Sequence, residues 1–253
     1  MRRTFYLAYG VTAYALFLGI ALYLQAFFAN FLVVKSIDQP SGPRMAEAMI
    51  VDVLLILLFG LQHSIMARPA FKRFLTRFIP QAIERSTYVL ASVAVLVFVI
   101  WQWRPISEPI WHVEQPFIRG LIWGLFMIGW AMVPVITMMI NHWDLFGLRQ
   151  VWAHVQGKPY EPLPFRTPWF YSRVRHPLYV AWAVAFWATP TMTIGHALLA
   201  AGLTTYMLIA VVFEEADLVN HFGAKYVEYK RRVPAFIPRM KMNSDSFELS
   251  RLG

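Results

Sequence analysis

Long apolar stretches separated by short polar and charged segments form the dominant pattern along the first half of the chain. Four such stretches lie within Phe5–Val34, Ala46–Met66, Ser86–Trp103 and Gly120–Asn141. Each is close to or longer than the roughly 20 residues that a helix needs to cross the hydrocarbon core of a bilayer. The pattern therefore predicts four membrane-spanning helices in this part of the chain.

A further apolar stretch, Leu178–Phe213, contains no Asp, Glu, Lys or Arg. As a single helix it would be about 54 Å long, far more than one crossing of a bilayer requires. Pro190 and Gly195 lie near its middle, where these residue types favour a break. We therefore expect a hairpin of two helices whose outer ends return to the same membrane face.

The spacing of apolar residues changes after this hairpin. Phe222, Tyr226, Tyr229 and Val233 recur at the period of one helix face, and charged residues fill the other positions. This predicts an amphipathic helix that lies against the membrane or the domain. The pattern as a whole indicates an all-α, polytopic integral membrane protein with five or six transmembrane helices, a C-terminal helical hairpin and a cytoplasmic amphipathic helix.

Composition supports this fold class and excludes several functions. Hydrophobic residues make up 58% of the chain and charged residues 15%, with a mean hydropathy of +0.48, outside the balance of soluble domains. The net charge of +9 comes from Lys and Arg at helix ends and in particular loops, so the lipid bilayer is the expected partner and nucleic acid is not. The absence of Cys and the scattered His residues argue against a metal site.

The distribution of basic residues predicts the orientation of the chain in the membrane. The loops 68–85 and 142–177 are rich in Lys and Arg, whereas the loop 104–119 is close to neutral. Because basic loops stay on the cytoplasmic side, the N-terminus and both basic loops are expected in the cytoplasm. The expected location is a bacterial-type inner membrane.

Polar groups at the two ends of the hairpin could meet at one interface. Arg175 and His176 precede the hairpin, and Glu214 and Glu215 follow it. Taken singly, these residues could be membrane-side anchors and their ion-pair partners. Taken together, in this order, they indicate a binding site on the predicted cytoplasmic face.

The same residues carry a resemblance to a known family. Four motifs in order resemble the membrane methyltransferases related to isoprenylcysteine carboxyl methyltransferase, a superfamily that includes NnrU-like proteins: Arg175-His176-Pro177-x-Tyr179, Glu214-Glu215, Phe222-Gly223-x-Lys225-Tyr226 and Pro234-x-x-Ile237-Pro238. A narrower resemblance, to the methanethiol S-methyltransferase branch, rests on the segments Gln62–Pro69, Glu84–Leu90 and Asn141–Val151.

The resemblance implies S-adenosyl-L-methionine as the cofactor and a small thiol as the substrate. Arg173 or Arg175 could bind the cofactor carboxylate, and Glu214 or Glu215 could accept hydrogen bonds from its ribose diol or ammonium. Tyrosine rings could stack on adenine or face the sulfonium. The candidate cofactor residues are Tyr171, Arg173, Arg175, His176, Pro177, Tyr179, Glu214 and Glu215.

The thiol must lose its proton to become a nucleophile, so a base is expected. The candidates are His142 or Asp144, with His63 second. The turn after Asp144 is expected to close the pocket, and the bulky aromatic residues at 169–171 should narrow it against a prenyl chain. The candidate substrate-pocket residues are Phe146, Leu148, Arg149, Gln150 and Trp169.

These observations predict methylation of methanethiol to dimethyl sulfide by one membrane domain, residues 1–240, with a catalytic core at about 141–238 and a flexible tail at 241–253. One alternative is a related methyltransferase that acts on another thiol or on an isoprenylcysteine carboxylate. Another is a non-catalytic, NnrU-like membrane binding protein or carrier. No feature of the sequence indicates an obligate protein partner.

Overall fold

The computed structural model describes residues 2–39 and 44–238, which form a bundle of long helices with shorter elements at both ends. The first half contains α1 (Arg2–Ala29), α2 (Met45–Ala67), α3 (Pro69–Leu75), α4 (Gln81–Gln102), the strand β1 (Pro109–His112) and α5 (Pro116–Ile140). The second half contains α6 (His142–Leu145), α7 (Leu148–Gln156), a 3₁₀ turn (Trp169–Ser172), α8 (Pro177–Trp187), the strand β2 (Thr191–Thr193), α9 (Ile194–Phe222) and α10 (Ala224–Arg232).

Five of these helices, α1, α2, α4, α5 and α9, are long and apolar enough to cross a membrane. The prediction of an all-α, polytopic integral membrane protein is therefore confirmed. α8 is shorter, because its 11 residues extend only about 16 Å, roughly half of the hydrocarbon core.

The predicted C-terminal hairpin is present as α8 and α9, and its turn is closed by a strand pair that the sequence did not predict. β1 and β2 are antiparallel, with His112 opposite Thr191. The amide of Val113 donates to the carbonyl of Pro190 at 2.9 Å, and the Trp111 ring nitrogen donates to the carbonyl of Thr189 at 3.1 Å. The loop after α4 is thus attached to the hairpin turn.

The hairpin packs closely against α5. A Cβ atom at Gly129 would lie 2.7 Å from the backbone nitrogen of Ala185, so only glycine allows this approach of the two helices. Nearby, Phe28 from α1 stacks on Phe186 with ring centroids 5.1 Å apart, and Trp130 contacts Trp182 at 5.2 Å. These rings join α1, α5 and α8 in the central apolar core.

Asp52 has a structural contact at the end of the bundle where α2 begins. Its side chain is fully buried, and Oδ1 accepts from the backbone amide of Arg104 at 2.9 Å. This hydrogen bond attaches α2 to the chain that leaves α4. Asp52 therefore has a role in helix packing.

Several predicted boundaries were wrong. α4 begins at Gln81, five residues before the predicted start. The prediction followed the apolar residues, whereas the first turn of the helix is polar. α9 continues past Glu214 to Phe222, and Gly223, with a φ of +60°, separates it from α10. The predicted amphipathic face is consequently shared by two helices. The predicted tail at 241–253 lies outside the described residues.

Candidate active site

A cavity of about 1010 Å³ lies at the end of the bundle where α2, α5 and α9 finish and α4 and α8 begin. This volume is at the upper end of the range for pockets that hold cofactors and drug-sized ligands. The structure brings seven of the predicted site residues to its wall, namely Asp144, Gln150, Tyr171, Arg175, His176, Tyr179 and Glu214.

Behind this wall, Glu215 joins three basic side chains. Its Oε1 accepts from Nε of Arg175 at 2.7 Å and lies 2.9 Å from Nε2 of His176, and its Oε2 lies 2.7 Å from Nζ of Lys230. Arg175 also donates to the carbonyls of Lys230 and Val233. These contacts hold the start of α8, α9 and α10 together, so the Glu215 carboxylate and much of the Arg175 guanidinium are bound within the protein.

Glu214, the preceding residue, faces the cavity. Its side chain is 44% exposed, and Oε2 accepts from the Tyr179 hydroxyl at 2.8 Å. The rings of His176 and Tyr179 are stacked with centroids 5.5 Å apart. The cavity wall at the base of the hairpin therefore offers a carboxylate and the face of a phenol.

Aromatic side chains from α9 and α10 line another part of the wall. Phe165 packs on Phe222 at 5.2 Å and on Tyr229 at 5.4 Å between ring centroids. The Tyr229 hydroxyl donates to the carbonyl of Tyr171 at 2.6 Å. Burial raises the pKa of Tyr229 to about 12 and also raises the pKa of Tyr171, so both phenols are neutral at physiological pH.

Asp144 lies on the wall beside α7. Its Oδ1 accepts from the Tyr160 hydroxyl at 2.9 Å and from Nη1 of Arg149 at 3.1 Å, and Nε2 of Gln150 lies 3.4 Å away. Burial, assisted by the hydrogen bond to Asp144, raises the pKa of Tyr160. The predicted closing turn is thus built around this carboxylate.

His142 is buried away from the cavity wall. Its Nε2 is 2.7 Å from the Tyr14 hydroxyl, and its Nδ1 is 2.8 Å from Oγ1 of Thr137. Burial lowers the pKa of His142 below its usual value, so the ring is neutral at pH 7. With both nitrogens in hydrogen bonds, His142 joins α1 to α5. A role as the base stays a prediction.

His63 lies deeper in the bundle, between α2 and α4. Its Nε2 is 2.7 Å from the Tyr88 hydroxyl, and its ring stacks on Phe59 at 5.3 Å. The predicted site residues that do not reach the cavity wall are His63, His142, Phe146, Leu148, Arg149, Trp169, Arg173, Pro177 and Glu215. Phe146 instead packs on Phe17, with ring centroids 4.0 Å apart.

The wall formed by α3 and the start of α4 was not predicted from the sequence. Lys72, Gln81, Glu84 and Arg85 line the cavity there. Glu84 and Arg85 belong to a segment that carried the narrower resemblance, and this was the available signal. This resemblance by itself did not assign Glu84 and Arg85 to the site. The sequence does not show that the start of α4 and the base of the hairpin line the same cavity. Among the described residues, no group of His, Cys, Asp and Glu is suited to a metal ion.

Comparisons with known proteins identify relatives over most of the chain. No family model matches it, and no solved structure matches it. A methanethiol S-methyltransferase from Crocosphaera subtropica is 48% identical over 94% of this chain and 93% of its own length. Another from Mycobacterium tuberculosis is 44% identical over 94% of this chain and 98% of its own length.

A more distant relative indicates the wider superfamily. Nurim from Sus scrofa is 32% identical over 66% of this chain and 66% of its own length. The higher identity and the nearly complete coverage distinguish the methanethiol S-methyltransferases from this relative. On this evidence the chain belongs to the methanethiol S-methyltransferase family.

Proposed function

We propose that the protein transfers the methyl group of S-adenosyl-L-methionine to methanethiol and so forms dimethyl sulfide. The observation that carries this proposal is the identity of 44–48% to methanethiol S-methyltransferases over more than nine-tenths of the chain. The large cavity at the ends of α8 and α9 supports it, because three of the four superfamily motifs contribute residues to its wall, among them Arg175, Glu214 and Tyr226.

The residues present fit this methyl donor. Glu214 has an exposed carboxylate that can accept from the ribose diol or the ammonium, and the faces of Tyr171 and Tyr179 can receive adenine or the sulfonium. Arg175 on the cavity wall and Glu215 behind it act as positioning residues, because they pair with each other in the network that fixes the start of α8.

The donor supplies a methyl group on a sulfonium: the thiolate sulfur forms a bond to the methyl carbon as the carbon–sulfonium bond breaks, which leaves the neutral thioether S-adenosylhomocysteine. The chain must therefore hold the thiol close, exclude water and take up the thiol proton. Ile140, Leu145 and Leu178 supply an apolar part of the cavity wall. Such surroundings suit an uncharged alkyl thiol.

Asp144 is the base that we propose, since it is the one of the three candidates on the cavity wall. The hydrogen bonds from Arg149 and Tyr160 both go to Oδ1, which leaves Oδ2 to accept the thiol proton. The positive charge of the donor favours ionisation of the thiol beside it. His142 and His63 would then support the site through packing.

We propose that the helix bundle lies in a bacterial-type inner membrane and that the cavity opens to the cytoplasm. Arg68, Lys72, Arg73 and Arg77 flank the cavity end of α2, whereas the segment at the opposite end of α4 carries Arg104. Basic residues accumulate on the cytoplasmic side. A cytoplasmic cavity has direct access to the soluble methyl donor.

The proposal treats residues 1–240 as a single domain. The proposed catalytic core at about 141–238 is extended by the cavity residues of α3 and α4. The alternatives, a prenylcysteine carboxyl methyltransferase or a non-catalytic carrier, are not favoured by the names of the relatives with high identity.

The test is headspace gas chromatography on membranes that contain the protein, supplied with methanethiol and S-adenosyl-L-methionine. We expect dimethyl sulfide to accumulate only when both compounds are present. Membranes with the Glu214→Gln variant, expressed to the same level, serve as the control and should lose most of the activity. If wild-type membranes bind the donor but form no dimethyl sulfide, methanethiol is not the substrate.

A further inference from the structure

Two basic side chains on the α3–α4 wall of the cavity form no ion pair with any residue in the described part of the chain. Lys72 and Arg85 both line the cavity and are half-buried. The ion pairs of the described residues include neither of them. Asp217, which also lines the cavity, is paired with Arg68 at 3.0 Å. Two like charges on a partly buried wall favour the binding of an anion.

The start of α4 adds to this positive potential. Pro80, Gln81 and Ala82 line the cavity, and the N-cap position, Pro80, provides no side-chain hydrogen bond to the first turn. The N-terminus of this 22-residue helix therefore presents its positive dipole end to the cavity. The guanidinium of Arg85 lies 5.8 Å from the ring centroid of Tyr88, which fixes it beside that terminus.

Glu84 places a negative charge next to this cationic group. It also lines the cavity, and its Oε1 is buried without a hydrogen-bond partner among the described residues. A buried carboxylate ordinarily requires compensation. The wall thus combines an anion site with a carboxylate that has one oxygen without a hydrogen bond to the described residues. An α-amino acid group, with its carboxylate and ammonium, would satisfy both.

Neither arginine expected to bind the donor carboxylate offers its whole guanidinium to the cavity. Arg175 is committed to Glu215 and to two backbone carbonyls. Arg173 is exposed and lies outside the cavity wall. The carboxylate of an amino acid group in the cavity therefore needs other basic side chains, such as those on the α3–α4 wall. Burial and the neighbouring Arg85 lower the pKa of Lys72, while Glu84 and Asp217 act in the opposite direction.

We propose that Lys72, Arg85 and the N-terminus of α4 bind the carboxylate at the amino acid end of the methyl donor, and that Glu84 binds its ammonium. This inference rests on the proposed function. It places the two ends of the donor on opposite parts of the cavity wall. The amino acid end contacts α3 and α4, while the adenosine end contacts the base of the hairpin.

The test uses ligands that differ in the amino acid end, with calorimetric titration of the purified full-length protein in detergent. S-adenosylhomocysteine carries the complete amino acid group, a decarboxylated analogue lacks the carboxylate, and 5′-methylthioadenosine lacks the whole group. We expect Arg85→Gln to weaken S-adenosylhomocysteine about 10- to 100-fold, as for a lost charged hydrogen bond. Binding of the other two ligands should change less than about twofold.

Lys72→Gln should give a smaller loss with the same ligand selectivity, and Glu84→Gln should weaken the two ligands that carry the ammonium. The matched control is Arg73→Gln, because Arg73 follows Lys72 but is exposed and outside the cavity wall. It should bind all three ligands as the wild type does. Retained binding of 5′-methylthioadenosine also shows that each variant is folded.

Equal weakening of all three ligands by Arg85→Gln would overturn the proposal. So would unchanged binding of S-adenosylhomocysteine together with a shift of methanethiol turnover to higher pH, because the cations would then stabilise the thiolate. A wild-type protein that binds none of the nucleosides would contradict the proposed function itself, a result distinct from failure of this assignment.

Discussion

Glu214 and Glu215 are adjacent in the chain but differ in their surroundings. The side chain of Glu214 is 44% exposed and faces the cavity, with one hydrogen bond from Tyr179. The side chain of Glu215 is 7% exposed and contacts Arg175, His176 and Lys230. At this scale one carboxylate is available to a ligand and the other holds three helices together.

We therefore predict opposite effects for the two amide substitutions. Glu215→Gln should lower the free energy of unfolding by about 3 kcal/mol, because Arg175 and His176 lose the carboxylate that compensates them while they remain buried. Glu214→Gln should leave stability within about 0.5 kcal/mol of the wild type and remove most of the activity.

Thermal unfolding of the purified proteins, combined with the headspace assay, measures both quantities. Equal unfolding midpoints for the two variants would show that Glu215 is not the structural member of the pair. Wild-type activity of the Glu214→Gln variant would show that Glu214 does not contribute to ligand binding.

The sequence could predict that this pair matters but not how its members differ. Successive residues on a helix point about 100° apart, so two adjacent glutamates can have different surroundings. Which of the two faces the cavity depends on Lys230, which approaches from α10 after the turn at Gly223. The same limit applies to Arg175, whose partners lie about 40 and 55 residues away.

At the scale of elements, the contact between α5 and α8 positions the start of the hairpin. Gly129 brings the two helix backbones together, and α8 begins at the residues that carry Tyr179 to the cavity. The packing of two helices in the membrane interior thus determines where a wall of the cavity lies.

Gly129→Ala should therefore destabilise the protein by about 1–3 kcal/mol, since the added methyl group would meet the backbone of Ala185. It should also weaken binding of S-adenosylhomocysteine several-fold through displacement of α8. Gly124→Ala is the matched control on the same helix, because a Cβ at Gly124 meets nothing within 4 Å.

Thermal unfolding and calorimetric titration of both variants test this prediction. The control should be as stable as the wild type or slightly more stable, since alanine favours the helix. Equal destabilisation by both substitutions would indicate a general effect of glycine loss on α5, and the close contact would not be its cause.

The sequence predicted the elements that depend on length and charge. A 36-residue stretch without Asp, Glu, Lys or Arg is too long for one crossing of the membrane. This length was enough to predict the hairpin. The pairing of β1 with β2 could not be predicted, because strands of four and three residues contain too few alternating positions. Their pairing also joins segments about 80 residues apart.

At the scale of the whole molecule, the bundle has a basic end with the cavity and a less basic end with the strand pair. The chain contains no Cys, so single cysteines can report the orientation without any background substitution. Arg73 is exposed near the cavity end, and Glu114 is exposed next to β1 at the other end.

We expect a membrane-impermeant maleimide, added to intact cells or spheroplasts, to label the Glu114→Cys variant and not the Arg73→Cys variant. Arg73→Cys should become reactive after the membrane is opened. Labelling in the reverse order would place the cavity outside the cytoplasm and contradict the proposed orientation.

The strand pair also constrains the order in which the protein can be assembled during synthesis. The turn after α8 has buried backbone carbonyls at Thr189 and Pro190 that accept hydrogen bonds from the segment around Trp111, and buried backbone groups are costly to leave unpaired. β1 is synthesised about 80 residues before β2. The two strands therefore cannot pair until the hairpin has been made. A gene split between α7 and α8 would therefore yield two halves that are stable only when they are produced in the same membrane.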